Sequence, residues 1–287
     1  MSVFELTERQ ETADPRERRE QENELIKMRM GKIKHKIAII SGKGGVGKSL
    51  VTVNLATGLA KNGREGKVAI FDADLTGPCV PKMMGIKSDK LIAGPPGIFP
   101  AVGDEGVKVV SMALLLPSVE SPVIWRGPLK MGAIRQFLGE VAWGPLDFLL
   151  VDLPPGTGDE SLSVLQLLPE MDGVVIVTIP SEVSQEIVKK AVTFARKMNV
   201  PIFGIVENMS GLVCPHCGET INVFGEGGGK KVAQDMGLEF LGSIPMDPMI
   251  SADSDEGTPF VIRHPDSPAS KAFGEIIEKI EEKVKLS

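Results

Sequence analysis

A glycine-rich stretch near the N-terminus constrains the fold of this 287-residue chain more than any other feature. The residues SGKGGVGKS, at positions 41–49, lie between a short apolar run, KIAII, and a longer run, SLVTVNLATGLAKNG. The first run predicts a buried strand, and the second predicts a helix that ends at a glycine. A strand, a glycine-rich turn and a helix in this order predict an α/β fold that binds phosphate at the helix N-terminus.

The rest of the chain repeats this alternation of strands and helices. Strands are predicted at KVAIF, VKVVSM, LDFLLVD, GVVIVTI, PIFGIVE and EFLGSI. Residues 76–100 are rich in Pro and Gly and are predicted to form a loop. Helices are predicted at LKMGAIRQFLGEVA, ESLSVLQLLPEM and SQEIVKKAVTFARKMN, and from about residue 268 onwards. Strands that are apolar throughout indicate a mostly parallel central sheet with helices on both faces. Ligands of such folds bind beyond the carboxyl ends of the strands.

Charge and composition divide the chain into a polar arm and one domain. Residues 1–34 are dense in Glu, Arg, Lys and Gln, and we expect a flexible arm or a solvated helix there, with a single domain over residues 35–287. The formal net charge of −6 disfavours DNA and anionic membranes as partners. No apolar run reaches the roughly 18 residues that a membrane helix needs. We therefore expect a cytoplasmic protein with no nucleic acid and no membrane partner.

The stretch from Gly42 to Ser49 fits the pattern G-x-x-x-x-G-K-[ST] of a phosphate-binding loop. Its glycines let backbone N–H groups turn inward around phosphate oxygens. The ammonium group of Lys48 is expected to neutralise the β- and γ-phosphates, and the hydroxyl of Ser49 is expected to bind Mg²⁺. The predicted nucleotide-binding residues of this segment are Gly42, Lys43, Gly44, Gly45, Val46, Gly47, Lys48, Ser49 and Leu50.

Acidic residues follow two of the predicted strands. AIFDAD places Asp72 and Asp74 beyond one strand, and FLLVDLPPGTGD places Asp152 beyond another. Carboxylates at this edge can hold Mg²⁺ directly or through water, so Asp72 and Asp152 are predicted to form the magnesium site with Ser49. A helix N-cap is the alternative role for any one of these aspartates.

The base of the nucleotide is predicted from one absent motif and one amide. The sequence contains no N-K-x-D element, the usual guanine reader, so adenine is favoured. Asn208 follows the strand that ends in GIVE, and its amide can pair with an adenine edge. The alternative role of Asn208 is that of a turn residue at a strand end.

Two cysteines form the motif CPHCGE at residues 214–219. Cys214 and Cys217, with Gly218 for the turn of a hairpin, can hold one metal ion or one edge of a cluster. Two thiolates are half of the set that a Cys₄ zinc site or a [4Fe–4S] cluster needs, so we expect a two-fold homodimer to supply the other half. A structural Zn²⁺ clasp at the same seam and a redox dithiol remain alternatives. His216 is either a ligand or an exposed loop residue. Cys79 is predicted to be a packed small residue, and a third ligand is its alternative role.

One lysine of the loop is not needed by the chain's own phosphate site. Lys43 is the second residue of the loop and lies too far back to reach its own γ-phosphate comfortably. The pattern K-G-G-x-G-K-S resembles the deviant loop of the SIMIBI ATPases, a class of P-loop NTPases that includes the nitrogenase iron protein, arsenite-pump ATPases, and Min and Par proteins. The resemblance implies a face-to-face dimer in which Lys43 touches the partner's nucleotide, like an arginine finger. The alternative is a lone exposed lysine.

Further motifs narrow the resemblance to one family. DADLTGPCVP, DLPPGTGDE, ENMSGLVCPHCGE, FGEGGGKKVA and LGSIPMDP occur in this order. Together they resemble the Mrp/ApbC family of nucleotide-binding iron–sulfur cluster carriers over most of the chain. The resemblance implies a slow ATPase that binds ATP and Mg²⁺, holds a [4Fe–4S] cluster on Cys214 and Cys217 across a homodimer, and transfers it to apoprotein clients. It also implies that Lys43 acts in trans, that Asp74 positions the attacking water and that Asn208 contacts adenine.

Two positions depart from the family pattern, and two other functions compete with cluster transfer. Thr76 and Cys79 stand where the family commonly has Tyr and Ser, and residues 1–78 contain no cysteine, which excludes the family branch with an extra N-terminal cluster. A Min- or Par-like positioning ATPase is one competing function; its membrane form needs a basic amphipathic tail, whereas the C-terminal helix mixes lysines with glutamates. A nitrogenase-like electron donor is the other, but its cysteines lie far apart in sequence.

Overall fold

The computed structural model describes residues 15–74, 77–87, 91–115, 127–214 and 216–286. The strands of this part of the chain are β1 (Ile33–Ser41), β2 (Val68–Asp72), β3 (Ile92–Gly94), β4 (Gly97–Phe99), β5 (Ala101–Val102), β6 (Lys108–Ser111), β7 (Leu146–Asp152), β8 (Gly173–Thr178), β9 (Ile202–Glu207), β10 (Leu212–Val213), β11 (Thr220–Ile221) and β12 (Phe240–Ser243). The helices are α1 (Pro15–Met30), α2 (Lys48–Lys61), α3 (Val80–Met83), α4 (Gly127–Glu140), α5 (Asp159–Leu167), α6 (Glu182–Lys197), α7 (Gly228–Met236), α8 (Pro248–Glu256), α9 (Phe260–Arg263) and α10 (Pro268–Leu286).

Eight strands form the central sheet in the order β12-β9-β8-β1-β7-β2-β6-β5. The first seven strands of this order pair in parallel, and β5 is an antiparallel edge strand on β6. The predicted α/β fold with a mostly parallel sheet is therefore confirmed, and the seven predicted strands are the seven parallel ones. Parallel strands end at the same edge, so the loops after β1, β2, β7, β8 and β9 meet there.

Helices cover both faces of the sheet and bury a separate apolar core on each. One core contains Phe137 of α4, Val164 of α5 and Val188 of α6. The other contains Leu55 of α2 and, from α10, the stripe Phe273, Ile276, Ile277, Ile280 and Val284. The apolar stripe of the C-terminal helix thus packs within the chain. Among the residues that the structure describes, no helix is both long and apolar enough to cross a bilayer.

Helix α1 lies within the predicted polar arm and packs against α4. Ile26 and Met30 are buried at this contact, whereas most other α1 side chains are exposed. A stripe of two or three apolar residues in a charged helix is too narrow for a periodicity argument to detect. Strand β1 begins at Ile33, inside the segment predicted as the arm. Residues 1–14 lie outside the described residues, and the division of the chain at residue 35 stays a prediction.

In its described part, the segment predicted as one loop, residues 76–100, contains a short helix and a two-stranded hairpin. Helix α3 follows Cys79, and β3 pairs with β4 in a two-stranded antiparallel sheet. The hairpin buries Ile98 under α4 and leaves Ile92 exposed. Strands of three residues carry too little alternation to be recognised in a Pro- and Gly-rich sequence. Thr76 lies outside the described residues.

Candidate functional site

The loop between β1 and α2 has the geometry of an anion site. Gly45 and Gly47 adopt left-handed φ angles of 77° and 80°. A Cβ on Gly47 would lie 2.2 Å from Nδ2 of Asn208, so this position excludes a side chain on two grounds. Within the described part of the chain, no backbone N–H of residues 43–47 donates a hydrogen bond. Unpaired N–H groups around a helix N-terminus bind phosphate, so the loop fits a nucleotide.

Asp152, at the end of β7, connects the loop to the sheet. Its Oδ2 lies 2.7 Å from Nζ of Lys48 and accepts a hydrogen bond from Oγ of Ser49 at 2.5 Å. Its Oδ1 accepts a hydrogen bond from Oγ1 of Thr52 at 2.7 Å. Lys48 is only 6% exposed, so this ion pair is buried. Thr52 is not among the residues predicted from the sequence, although its position four residues after Lys48 places it on the same face of α2.

Asp72, at the end of β2, is the second buried carboxylate of the site. It is aligned with Asp152 on the neighbouring strand. Ser111, which ends β6, donates to its Oδ2 at 2.9 Å, and the amide of Asp74 donates to its Oδ1 at 3.2 Å. Burial, followed by the charge of Asp152, raises the pKa of Asp72 from 3.8 to about 8. A divalent cation with oxygen ligands would relieve this repulsion, so Ser49, Asp72 and Asp152 fit Mg²⁺.

The raised pKa of Asp72 predicts a pH-dependent stability. Folded Asp72 retains a proton at pH values at which the unfolded chain has lost it, so the free energy of unfolding of the nucleotide-free protein should fall between about pH 4 and pH 8. Asp72→Asn keeps the shape and removes the charge. We expect it to raise the free energy of unfolding by roughly 1–3 kcal/mol at pH 8, and by less at pH 5.

Urea unfolding in EDTA at pH 5 and pH 8, followed by circular dichroism, measures this difference. Asp266→Asn, at an exposed position, is the control. An equal effect of Asp72→Asn at both pH values would contradict the protonation of Asp72.

The remaining candidates of this edge lie around the loop. Asp74 is 8% exposed, and its Oδ1 accepts a hydrogen bond from the amide of Gly77 at 3.2 Å. Asn208 is buried, and its Nδ2 donates to the carbonyl of Val46 at 2.9 Å. Leu50 packs partly against the core beneath α2. The structure thus bonds Asn208 to the phosphate loop and places Asp74 beside the buried Asp72, while water positioning and adenine contact stay predictions.

Lys43 is held at the rim of the loop by its neighbours. Its carbonyl accepts a hydrogen bond from Oγ of Ser41 at 3.0 Å. A Cβ on the preceding Gly42 would lie 2.4 Å from Cγ2 of Ile187 in α6, so the backbone packs tightly there. Among the described residues, no ion pair or hydrogen bond engages the Lys43 ammonium group. It therefore differs from Lys48, whose charge is already paired within the chain.

Cys79 lies in the same corner of the molecule, which the sequence did not indicate. Burial raises the pKa of its thiol, and the hydroxyl of Ser49 acts in the opposite direction. The negative charges of Asp72 and Asp152 raise the pKa further. The Cys79 thiol is partly buried, as expected for a packed small residue, and it neighbours the predicted magnesium site.

The cysteine pair lies on a separate, exposed hairpin. Strands β10 and β11 are antiparallel. The amide of Cys214 donates to the carbonyl of Glu219 at 2.9 Å, and the amide of Gly218 donates to the carbonyl of Cys214 at 2.9 Å. The predicted hairpin is therefore confirmed. Backbone hydrogen bonds from Cys217 and His216 lower the pKa of the Cys214 thiol. Cys217 and His216 are exposed, and Pro215 lies outside the described residues.

The cysteine pair is incomplete as a metal site within one copy. In the described ranges, no three His, Cys, Asp or Glu side chains are grouped so that they could hold a metal ion. Exposed apolar side chains lie on the hairpin strands and just after them: Val213, Ile221, Val223 and Phe224. Exposed apolar side chains that lie close together are typical of a surface that another protein covers.

The parallel sheet, the phosphate loop and the acidic strand ends define a P-loop NTPase of the MinD and ParA type. A nucleotide-binding protein from Archaeoglobus fulgidus, solved in complex with ADP, is similar with a TM-score of 0.75 and 42% identity, over 87% of this chain and 95% of that one. The cell division ATPase MinD from Pyrococcus furiosus is similar with a TM-score of 0.63 and 25% identity, over 88% of this chain and 99% of that one.

The chain belongs to the family of NUBPL iron-transfer P-loop NTPases within the ParA group, whose family model matches residues 32–281. A relative from Methanocaldococcus jannaschii, named iron–sulfur cluster carrier protein, is 53% identical over 264 residues, which are 92% of this chain and 90% of the relative. A relative of the same name from Saccharolobus solfataricus is 54% identical over 255 residues, 89% of this chain and 86% of the relative. The family predicted from the motifs is confirmed.

Proposed function

We propose that this protein is an ATP-hydrolysing carrier that binds a [4Fe–4S] cluster across a homodimer and transfers it to apoproteins. The observation that carries the proposal is the pair of the half-buried Cys214 and the exposed Cys217, which offers two thiols and no third ligand in the described chain. Each copy would supply half of a four-thiolate set. The relatives named as carriers support the choice of an iron–sulfur cluster over other soft metals.

The chemistry of the hairpin supports cluster binding and release. The thiolate is the form of cysteine that binds metal. The lowered pKa of the Cys214 thiol favours this form, so less free energy is needed to remove the proton when metal binds. A cluster held by one short hairpin from each copy would be exposed at the seam, where an apoprotein can reach it. The exposed side chains Val213, Ile221, Val223 and Phe224 would be covered when two copies meet.

The loop edge supports nucleotide hydrolysis with defined roles for its residues. The ammonium group of Lys48 is paired with Asp152 in the chain alone, and a bound phosphate would compete with Asp152 for it. Ser49, Asp72 and Asp152 would hold Mg²⁺, which supplies charge neutralisation at the phosphates when bound. Asp74 would orient the attacking water, and Lys43 would contact the nucleotide of the second copy. We place this activity in the cytoplasm, without a nucleic acid or membrane partner.

Anaerobic reconstitution with iron and sulfide tests the proposal. The wild-type chain should gain visible absorption and one cluster per two chains, and it should pass the cluster to the apoprotein of a [4Fe–4S] protein. Cys214→Ser/Cys217→Ser should lose the cluster almost completely and keep ATP binding within about 3-fold, because the hairpin lies outside the phosphate loop.

Cys79→Ser is the matched control, since it removes the third cysteine and should leave cluster assembly unchanged. If the wild-type dimer takes up Zn²⁺ but never a cluster, the carrier function is refuted, and the protein is instead an ATPase with a structural Zn²⁺ at the dimer seam. Cluster assembly by the double variant would exclude these two thiols as the ligands.

A further inference from the structure

One buried carboxylate has no hydrogen bond to the phosphate loop or to the cysteine pair in the described chain. Glu207, the last residue of β9, is 1% exposed. Its Oε2 accepts a hydrogen bond from the amide of Gly229, in the first turn of α7, at 2.6 Å. Its Oε1 accepts one from Oγ of Ser210 at 2.8 Å. The carboxylate therefore occupies the positive N-terminal end of α7, where such bonds to an ionised acceptor are strong.

The glycines of α7 are shaped around this carboxylate. A Cβ on Gly229 would lie 3.1 Å from Cβ of Glu207 and 3.2 Å from its Oε2. A Cβ on Gly228 would lie 2.1 Å from the carbonyl oxygen of Pro180. The sequence motif FGEGGGKKVA is thus explained by the close approach of α7 to the ends of β8 and β9.

Glu207 lies in a short segment that joins the two candidate sites. The next residue, Asn208, donates from Nδ2 to Val46 of the phosphate loop at 2.9 Å. Two residues further on, the amide of Ser210 donates to the carbonyl of Ile244 at 2.9 Å. Gly211 then accepts a hydrogen bond from the amide of Met246 at 2.7 Å, and Leu212 begins the hairpin that carries Cys214.

We propose that Glu207 is a positioning residue that couples the phosphate loop to the cysteine hairpin. A displacement of the loop by nucleotide moves Asn208, to which it is bonded. The carboxylate binds both α7 and Ser210, so the segment after Asn208 moves as one body with α7 and carries the hairpin with it. Without the carboxylate, α7 loses its hydrogen bond to the end of β9, and Ser210 is held there only through its backbone hydrogen bond to Ile244. We then expect the displacement to reach Cys214 only weakly.

Coupling of this kind is reciprocal, because binding free energies of two ligands on one molecule are linked. Nucleotide changes the affinity of the cysteine pair for metal by the same factor as metal changes the affinity for nucleotide. The inference rests on the proposed function only in treating the phosphate loop and the cysteine pair as binding sites, and it needs no cluster to be tested.

The experiment measures the dissociation constant of Zn²⁺ alone, by competition with a chromophoric chelator, with and without saturating Mg²⁺ and a non-hydrolysable ATP analogue. In the full-length wild-type chain we expect the two constants to differ by about 5-fold or more. Glu207→Ala should bring their ratio to about 1, while the affinity for each ligand alone changes less than about 3-fold. Glu207→Gln, which keeps an acceptor for Gly229, should retain most of the ratio.

Asp172→Ala is the matched control. Asp172 also accepts two hydrogen bonds, from the amide of Lys36 at 2.7 Å and at the ring of His35 at 3.1 Å, but it lies at the opposite edge of the sheet. It should lower stability and leave the ratio unchanged. If Glu207→Ala fails to fold, Ser210→Ala removes only the 2.8 Å bond and should reduce the ratio partially.

Two results would overturn the inference. The first is a ratio of 1 between the two Zn²⁺ dissociation constants of the wild type. The second is a wild-type ratio that is unchanged in Glu207→Ala, or in Ser210→Ala if Glu207→Ala fails to fold. Either would leave cluster assembly untouched, since reconstitution with iron and sulfide is read separately. Conversely, absence of cluster assembly would refute the carrier function and leave the zinc measurement valid.

Discussion

Lys48→Ala should weaken the binding of ATP roughly 100- to 1000-fold, the consequence of removing one partner from a buried charge pair. The ammonium group neutralises Asp152 at 2.7 Å and also lowers the pKa of Asp72. Without it, a triphosphate would approach two buried carboxylates with no fixed cation between them. Titration of a fluorescent ATP analogue in the presence of Mg²⁺ measures the loss.

Lys61→Ala is the control for Lys48→Ala, because Lys61 is exposed at the other end of the same helix. Circular dichroism should show that both variants are folded at the temperature of the titration. Binding by Lys48→Ala within 10-fold of the wild type would mean that the loop holds phosphate through its backbone alone.

Lys43→Ala should keep ATP binding within about 3-fold and lower the hydrolysis rate on the order of 1000-fold, the effect typical of a charge supplied by a partner. Lys43 has no ion pair in the described structure, and the packing of Gly42 against Ile187 holds its backbone at the rim of the loop. Its ammonium group is therefore available to a second copy. Steady-state phosphate release measures the rate.

A mixed dimer separates action in trans from action within one chain. The Lys43→Ala chain retains its own Asp74, and an Asp74→Asn chain retains Lys43. If Lys43 acts across the dimer, mixing the two inactive variants restores one working site, and up to half of the wild-type rate returns. No recovery on mixing, with mixed dimers demonstrated by affinity tags, would assign Lys43 to its own nucleotide.

The roles that follow from sequence are those carried by residues close together in the chain. The phosphate loop, the acidic ends of β2 and β7, and the cysteine pair are each defined within ten residues or fewer, where covalent spacing limits the geometry. The alternation of apolar strands and helices is also a local pattern, and it was sufficient to predict the parallel sheet and its helical covering.

The partners of those residues depend on the register of strands and on helix packing. Thr52 and Ser111 complete the environments of Asp152 and Asp72, and each contact spans many residues of chain. Cys79 lies near Ser49, Asp72 and Asp152 through a loop whose sequence predicts no particular path. Short elements such as α3 and the β3–β4 hairpin depend in the same way on the surface against which they pack.

The sequence by itself determined the class of the protein, because a phosphate loop between a strand and a helix leaves few alternatives for fold and ligand. Only the tertiary structure decided which residues connect the phosphate loop to the segment before the cysteine pair. Glu207 and Asn208 are adjacent in sequence, yet one holds α7 and the other holds the phosphate loop. Hydrogen bonds between distant segments form where parallel strands end side by side. The order of the strands in the sheet decides which ends are neighbours, and this order cannot be read from the local sequence.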